Sequence, residues 1–292
     1  DLDVLVSMHA PYYINLCAKE AKKLEKSIGH LISAARAGEW MGAYRLVFHP
    51  GAYLNRKPEK AMEISKNTVK KLFEELEAEG IEDFTFAPET TGKRTQLGNV
   101  GEVVELCATF DHFEATIDFA HVHARGRGFL TKKEDYNCIF STIEDHLDID
   151  ILHCHFTTIE YGQGGEVKHH TLDESDEYGP NVKDLLANVI DNGWKANIIC
   201  ETPLRDIDSL KMKKKYESMI PELMKKPYFD EMPSFNEVLL LDVIILNTPF
   251  VPVEKRANFK VFLEKKTFSN FKNNSFGCSS LKFWTKAINL KI

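Results

Sequence analysis

Six times between Val4 and Glu201 an apolar, strand-like run leads straight into a histidine or a carboxylate, and a helix-length segment follows each time. The runs are Val4–His9, Arg45–His49, Phe84–Glu89, Ala115–Asp118 with His121 just beyond, Ile151–His155 and Ile198–Glu201. Strand then helix, repeated, forces neighbouring strands to run parallel with the helices packed outside them. Parallel strands end on the same side, so the imidazoles and carboxylates at their carboxyl ends converge. That convergence is how a barrel commonly builds a metal-dependent site.

The segments between the runs read as helices. Leu16–Met41 carries Leu16, Leu24, Ile28, Leu31 and Ile32 at near-helical spacing. Pro58 opens a second helix that ends at Gly80, and Val100–Phe110 forms a third. Lys132–Leu147 is the fourth, with Thr131 as its cap and Glu134 three residues on; Asn181–Asn192 and Asp206–Ser218 complete the series. The expected fold is α/β, a TIM barrel of the (β/α)8 type. Residues 1–219 supply six of the eight units, so the first two βα units are expected to be lacking. From about Ile220 the rhythm stops, and residues 220–292 read as a C-terminal extension of unassigned role, rich in Phe and Asn. Within it Val238–Asn247 fits one buried strand, whereas Phe268–Cys278 resembles neither a regular helix nor an amphipathic strand.

Composition excludes several alternatives. A chain of 292 residues, 43% hydrophobic and 28% charged, is globular and long enough for a large barrel. No run reaches the roughly 18 uninterrupted apolar residues of a membrane span, so the expectation is a soluble protein without a membrane partner. Asp1 opens no signal-like segment, and the six cysteines form no CxxC pair, which points to reduced thiols in the cytoplasm. Cys154 and Cys200 fall within predicted buried strands, as small apolar residues. The net charge of −7 argues only weakly against nucleic-acid binding, because bound divalent cations would add positive charge at the site itself.

Residue by residue, the strand ends favour metal ligation jointly rather than singly. His49, in Phe-His-Pro-Gly, would alone be a turn histidine, but His9, in His-Ala-Pro-Tyr-Tyr, repeats its placement. Asp118 and His121 can point into one cavity, with the bland alternative that Asp118 caps a turn. His153 and His155 alternate on a strand and share a face, so one can be a ligand while the other packs deeper. Glu89 and Glu201 end apolar strands, where a carboxylate is costly unless paired or metal-bound. Imidazoles and carboxylates without cysteine suit zinc or manganese, and this many donors exceed what one tetrahedral ion can use. His169 and His170, with Glu166 just before them, lie in a Gly-rich charged segment that by itself reads as solvated surface.

Taken together, His9-Ala-Pro-Tyr-Tyr-Ile-Asn-Leu16, Phe48-His-Pro-Gly51, Pro88-Glu-Thr-Thr-Gly92, Ile117-Asp-Phe-Ala-His121, His155, Lys168-His-His-Thr-Leu172 and Cys200-Glu-Thr202 resemble the endonuclease IV family of apurinic/apyrimidinic endonucleases in order and spacing. The resemblance spans roughly residues 1–219. It implies a DNA repair hydrolase that cleaves the phosphodiester 5′ to an abasic site in double-stranded DNA through a metal-bound hydroxide, on a TIM barrel with up to three zinc ions. By the same resemblance, His9 and His49 bind the first ion, and Glu89 bridges the first two and is the catalytic candidate. Asp118, His155 and Glu201 complete the second, and His121 and His169 bind the third. Tyr12 matches a position that presses into DNA near the lesion. The family's third ion also takes a carboxylate two residues before the histidine, where this chain has Val167; Glu166 is the nearest acid. A monomer is expected. The alternatives are a divalent-metal sugar isomerase or epimerase of the same barrel superfamily, and an inactive truncated relative.

Overall fold

The structure, a computed structural model, describes residues 3–81, 84–223, 242–244 and 288–291. In chain order the first half comprises β1 (Asp3–His9), α1 (Ala21–Met41), β2 (Ala43–Phe48), β3 (Gly51–Ala52), α2 (Pro58–Ala78), β4 (Phe86–Pro88), β5 (Gln96–Leu97), α3 (Val100–Cys107), β6 (Thr116–Asp118) and α4 (Phe119–Arg125). The second half comprises α5 (Asn137–Glu144), β7 (Leu152–Phe156), β8 (Thr158–Gly162), β9 (Gly165–His170), α6 (Ser175–Tyr178), α7 (Val182–Asn192), β10 (Ala196–Cys200), α8 (Asp206–Leu223), β11 (Asp242–Ile244) and β12 (Ile288–Lys291).

The six expected strands, β1, β2, β4, β6, β7 and β10, lie side by side in that order. β1–β2, β2–β4, β6–β7 and β7–β10 pair in parallel, and parallel bridges from Phe86 to Phe113 and from Glu89 to Thr116 join β4 to the β6 side. At the other edge, β12 pairs antiparallel with β1 and β11 pairs antiparallel with β12. β11 also lies against β10 and α8, so these two short strands stand between β10 and β1. The strand expected over Val238–Asn247 is thus present at Asp242–Ile244, while Phe268–Cys278 lies outside the described residues.

Alternation along the strands separates two environments. Met8, Leu46, Ile117, Cys154 and Ile198 join the apolar cluster formed with the helices. Their predecessors Ser7, Arg45, Thr116, His153 and Asn197 are equally buried and polar. Because successive side chains on a strand face opposite ways, the helix-facing side is apolar and the barrel interior is polar. Cys154 and Cys200 are fully buried, and burial pushes the Cys200 thiol up to about 11.

Helix placement follows the sequence closely, with local corrections. α1 starts at Ala21, because Leu16 and Ile14 are buried in the loop that precedes it. α3 ends at Cys107, short of Phe110, and α8 continues to Leu223 rather than stopping at Ser218. The Lys132–Leu147 segment begins as a 3₁₀ turn at Lys133–Tyr136 before α5. Its cap uses Asp135 and not Glu134: Asp135 Oδ2 accepts from the Thr131 amide, the Thr131 hydroxyl and the Lys132 amide at 2.8, 2.8 and 3.0 Å. The turn begins one residue later than expected, with Lys132 at the N-cap and Asp135 three residues on, so the capping acid moves with it. The segment around Gly162–Gly165 is the turn of the β8–β9 hairpin, with Gln163 and Gly164 exposed at its tip.

Between the sheet and α2, an aromatic group anchors the β4 edge. Phe86 is 1% exposed and stands within 6.3 Å, ring centre to ring centre, of Phe73, Phe84 and Phe113. Phe86→Ala is expected to lower the unfolding free energy by about 3–5 kcal/mol, read from the denaturant midpoint at unchanged slope.

Candidate metal centre

The parallel register assembles the site. Asp118 on β6 is paired with His155 on β7, and Glu89 bridges to Thr116, so the carboxyl ends of three adjacent strands present their side chains at one level. His9 ends β1, His49 follows β2 and Glu201 follows β10. Asp118 also caps α4, its Oδ1 accepting from the His121 amide at 2.8 Å, which turns His121 back toward the strand ends. Capping and convergence, alternatives in the sequence, therefore occur together.

Three sets of donor atoms result, each lying within 4.8 Å of one another: His9, His49 and Glu89; Glu89, Asp118, His155 and Glu201; His121, Glu166 and His169. Glu89 belongs to two of them through different oxygens. Its Oε2 is 2.9 Å from His9 Nε2 and 3.1 Å from His49 Nε2, while its Oε1 is 2.7 Å from His155 Nδ1 and 3.7 Å from His121 Nδ1. Glu201 Oε1 is 3.1 Å from the same His155 nitrogen.

Hydrogen bonding dictates which imidazole nitrogens face inward. His9 Nδ1–H donates to the Ala10 carbonyl at 2.6 Å, His121 Nδ1–H to the Thr90 carbonyl at 2.8 Å, and His169 Nδ1–H to the Glu201 carbonyl at 3.2 Å. A carbonyl only accepts, so each Nδ1 must carry a proton, and a neutral ring then aims an Nε2 lone pair at a carboxylate. Lone pair against carboxylate is repulsive unless a cation stands between them or the ring is protonated. The buried Oδ2 of Asp118 has no hydrogen-bond partner, and among the described residues no Lys or Arg pairs with Glu89, Asp118 or Glu166. The donor set fits divalent cations, and the backbone carbonyls would orient the rings toward them by holding each Nδ1–H.

The electrostatics carry the same signature. Burial opposes the charge on Glu89, but His155 and His49 outweigh it and hold the carboxyl well below its usual range. Burial disfavours the His155 and His121 cations. The surrounding carboxylates nevertheless push these rings up to about 10 and about 9. Burial, assisted by Glu89 and Glu201, raises Asp118. Close-set acids that retain their charge only against imidazolium are acids that a metal cation would serve as well.

Glu166 reaches the third set through a β-bulge. On β9, Lys168 pairs with Glu160 and Glu166 with Tyr161, so Val167 is the extra residue, 60% exposed. Residues three apart on a regular strand face opposite ways; the bulge returns Glu166 to the face of His169. Glu166 then stands 3.7 Å from both His121 Nε2 and His169 Nε2. Lys168 and His170 take the other face, where His170 bonds Glu160 and Glu174 and stacks on Tyr178 at 4.0 Å.

The remaining expected residues divide cleanly. Tyr12 is 43% exposed, its ring 4.8 Å from His9 and 5.2 Å from His49, at the edge of the first set. His153 packs deeper than His155, within hydrogen-bonding distance of Tyr44, and burial with the nearby Arg45 charge holds it well below the usual imidazole range. Arg125 went unnoticed in the sequence. Its guanidinium donates to the carbonyls of Lys93 and Gln96 and to the Tyr53 hydroxyl at 2.8–2.9 Å, bracing the loop that follows Glu89. No sequence pattern marks such a brace, because its acceptors are backbone carbonyls.

Residues 1–224 match the family model described as xylose isomerase-like TIM barrel. The chain belongs to this family. Within the xylose isomerase-like TIM barrels, an uncharacterized protein of Methanocaldococcus jannaschii is 36% identical over 220 residues, 74% of this chain and 78% of the relative. A protein of Trichlorobacter lovleyi called probable endonuclease 4 is 28% identical, over 56% of this chain. That match spans 59% of the relative's length. Among solved structures, a D-tagatose 3-epimerase-like protein superposes with a TM-score of 0.57 at 17% identity, over 76% of this chain and 80% of its own. At that identity the likeness is one of fold.

Gly92 packs directly against two of the donor residues. A Cβ there would stand 2.6 Å from Glu166 Cβ and 3.1 Å from His121 Cδ2. Gly92→Ala is expected to cost about 1–3 kcal/mol through overpacking, read by urea unfolding, and to displace the His121 imidazole resonances in NMR.

Proposed function

We propose that this chain is a zinc-dependent endonuclease that cleaves the DNA phosphodiester 5′ to an abasic nucleotide, acting as a cytoplasmic monomer. The observation that carries the reading is Glu89, a fully buried carboxylate with one oxygen in each of two adjacent donor sets. A single-ion site has no use for a carboxylate shared in this way, whereas phosphodiester hydrolysis is served by adjacent ions. The curated relatives called probable endonuclease 4 support the same reading.

In this reading His9, His49 and Glu89 hold the first ion, Glu89, Asp118, His155 and Glu201 the second, and His121, His169 and Glu166 the third. When bound, such ions supply Lewis acidity toward phosphate oxygens and make water nucleophilic near neutral pH. The chain's own residues do the rest. Carbonyls of Ala10, Thr90 and Glu201 lock three rings in the ligating tautomer. Tyr12 offers an exposed ring beside His9 and His49 on which the DNA packs near the lesion. An abasic nucleotide lacks base pairing, so rotating it out of the duplex costs less than for a paired nucleotide, which favours it as substrate.

The metal-loaded protein is expected to nick a duplex carrying a single abasic analogue on its 5′ side and to bind up to three zinc ions per chain by elemental analysis. Chelation should abolish the nicking and added zinc restore it. Glu89→Gln should lower the rate by more than ~100-fold, since it removes a ligand itself rather than a group that only orients one. One ion per chain together with epimerisation of a ketose would instead place the chain among the sugar-converting members of the superfamily.

A further inference from the structure

Three cations gather at one side of the donor cluster with no acid to neutralise them. Lys93 forms a bridge to Gly165, the Arg94 amide donates to the Gly164 carbonyl at 2.9 Å, and the Arg127 guanidinium donates to Gln163 Oε1 at 2.8 Å. All three residues therefore surround the turn of the β8–β9 hairpin, and all three are exposed. Among the described residues none of them makes an ion pair, and the one partner of the Arg127 guanidinium is a neutral amide. The hairpin segregates charge: Glu160 and Glu174 flank His170 on its opposite face. On the cationic side the hairpin carries Glu166, whose carboxylate belongs to the third donor set.

The patch is held rigidly against that set. The Glu166 amide donates to the Gly92 carbonyl at 3.0 Å, one residue before Lys93, and Arg125 donates to the Lys93 carbonyl at 2.8 Å. A concentration of unpaired positive charge is unexpected on a chain of net charge −7 unless an anion meets it. A sugar offers no charge to such a surface; a phosphodiester strand offers one per nucleotide.

We infer that Lys93, Arg94 and Arg127 form a contact for backbone phosphates of a DNA duplex laid across the third donor set. The inference rests on the proposed nuclease reading and assigns the side of the site on which the strand runs. Such contacts position DNA without reading its sequence. Their removal weakens binding on abasic and intact duplexes alike.

The test compares two triple variants of the full, metal-loaded chain. The first is Lys93→Ala, Arg94→Ala and Arg127→Asn. Asparagine is chosen because residue 127 has φ 53°, a conformation asparagine tolerates. The second, Lys22→Ala, Lys70→Ala and Lys71→Ala, removes the same three charges from exposed positions on α1 and α2. Affinity for an abasic duplex is measured against salt concentration, alongside nicking at saturating DNA and metal content. The first variant should reduce the slope of log affinity against log salt by roughly 2–3, with turnover at saturation within about twofold and metal content unchanged. The second should leave the slope as in the wild type. A wild-type slope and affinity in the first variant, with the wild type nicking normally, would overturn the patch; equal losses in both would reduce it to net charge. A wild type that neither binds nor nicks abasic DNA would sink the nuclease reading itself.

Discussion

A fully buried carboxylate surrounded by imidazoles is the constraint around which the site is built. Glu89 is held between His9 and His49 on one oxygen and His155 on the other, at distances of 2.7–3.1 Å. Burying that charge without compensation would cost several kcal/mol, so the strands carrying those histidines must end at the same level. Parallel register achieves this: His9 and His49 end neighbouring strands, and Asp118 and His155 pair directly. The helices outside then pack on an apolar face that leaves the interior free to be polar.

The surroundings of Glu89 are also what make the tautomers definite. Three rings spend their Nδ1 protons on backbone carbonyls, and those carbonyls lie just past the ends of β1, β4 and β10. Loop positions are stiffened accordingly. Arg125 gathers the carbonyls of Lys93 and Gln96, and the β8–β9 hairpin docks on the same loop through Gly92, Arg94 and Gly164. The third donor set and the cationic patch are thus two sides of one rigid junction.

Much of this was legible in the chain itself. The six strand ends, the six helices in alternation and seven of the nine donor residues follow from apolar runs that lead into His, Asp or Glu, and His169 follows from the family resemblance. These signals are local and periodic. Glu166 was far less legible, because a residue three before a strand histidine belongs on the wrong face, and only the bulge at Val167 reverses that. His170 stood beside His169 with equal claim in sequence, and the hairpin's two faces separated them. The Asp135 cap replaces Glu134 because the helical turn starts from Lys132 rather than Thr131, a shift of one residue that helix periodicity does not carry.

By itself the sequence determined a parallel α/β architecture and a supply of nitrogen and oxygen donors at strand ends, since both depend on short-range alternation and on residue type. Tertiary structure decided how those donors divide into sets, that Glu89 serves two of them, which nitrogen of each ring is free, and on which side unpaired cations collect. These depend on strand register, a bulge and backbone carbonyls from distant segments. No local pattern encodes such relations, because they come into being only when the strand ends meet.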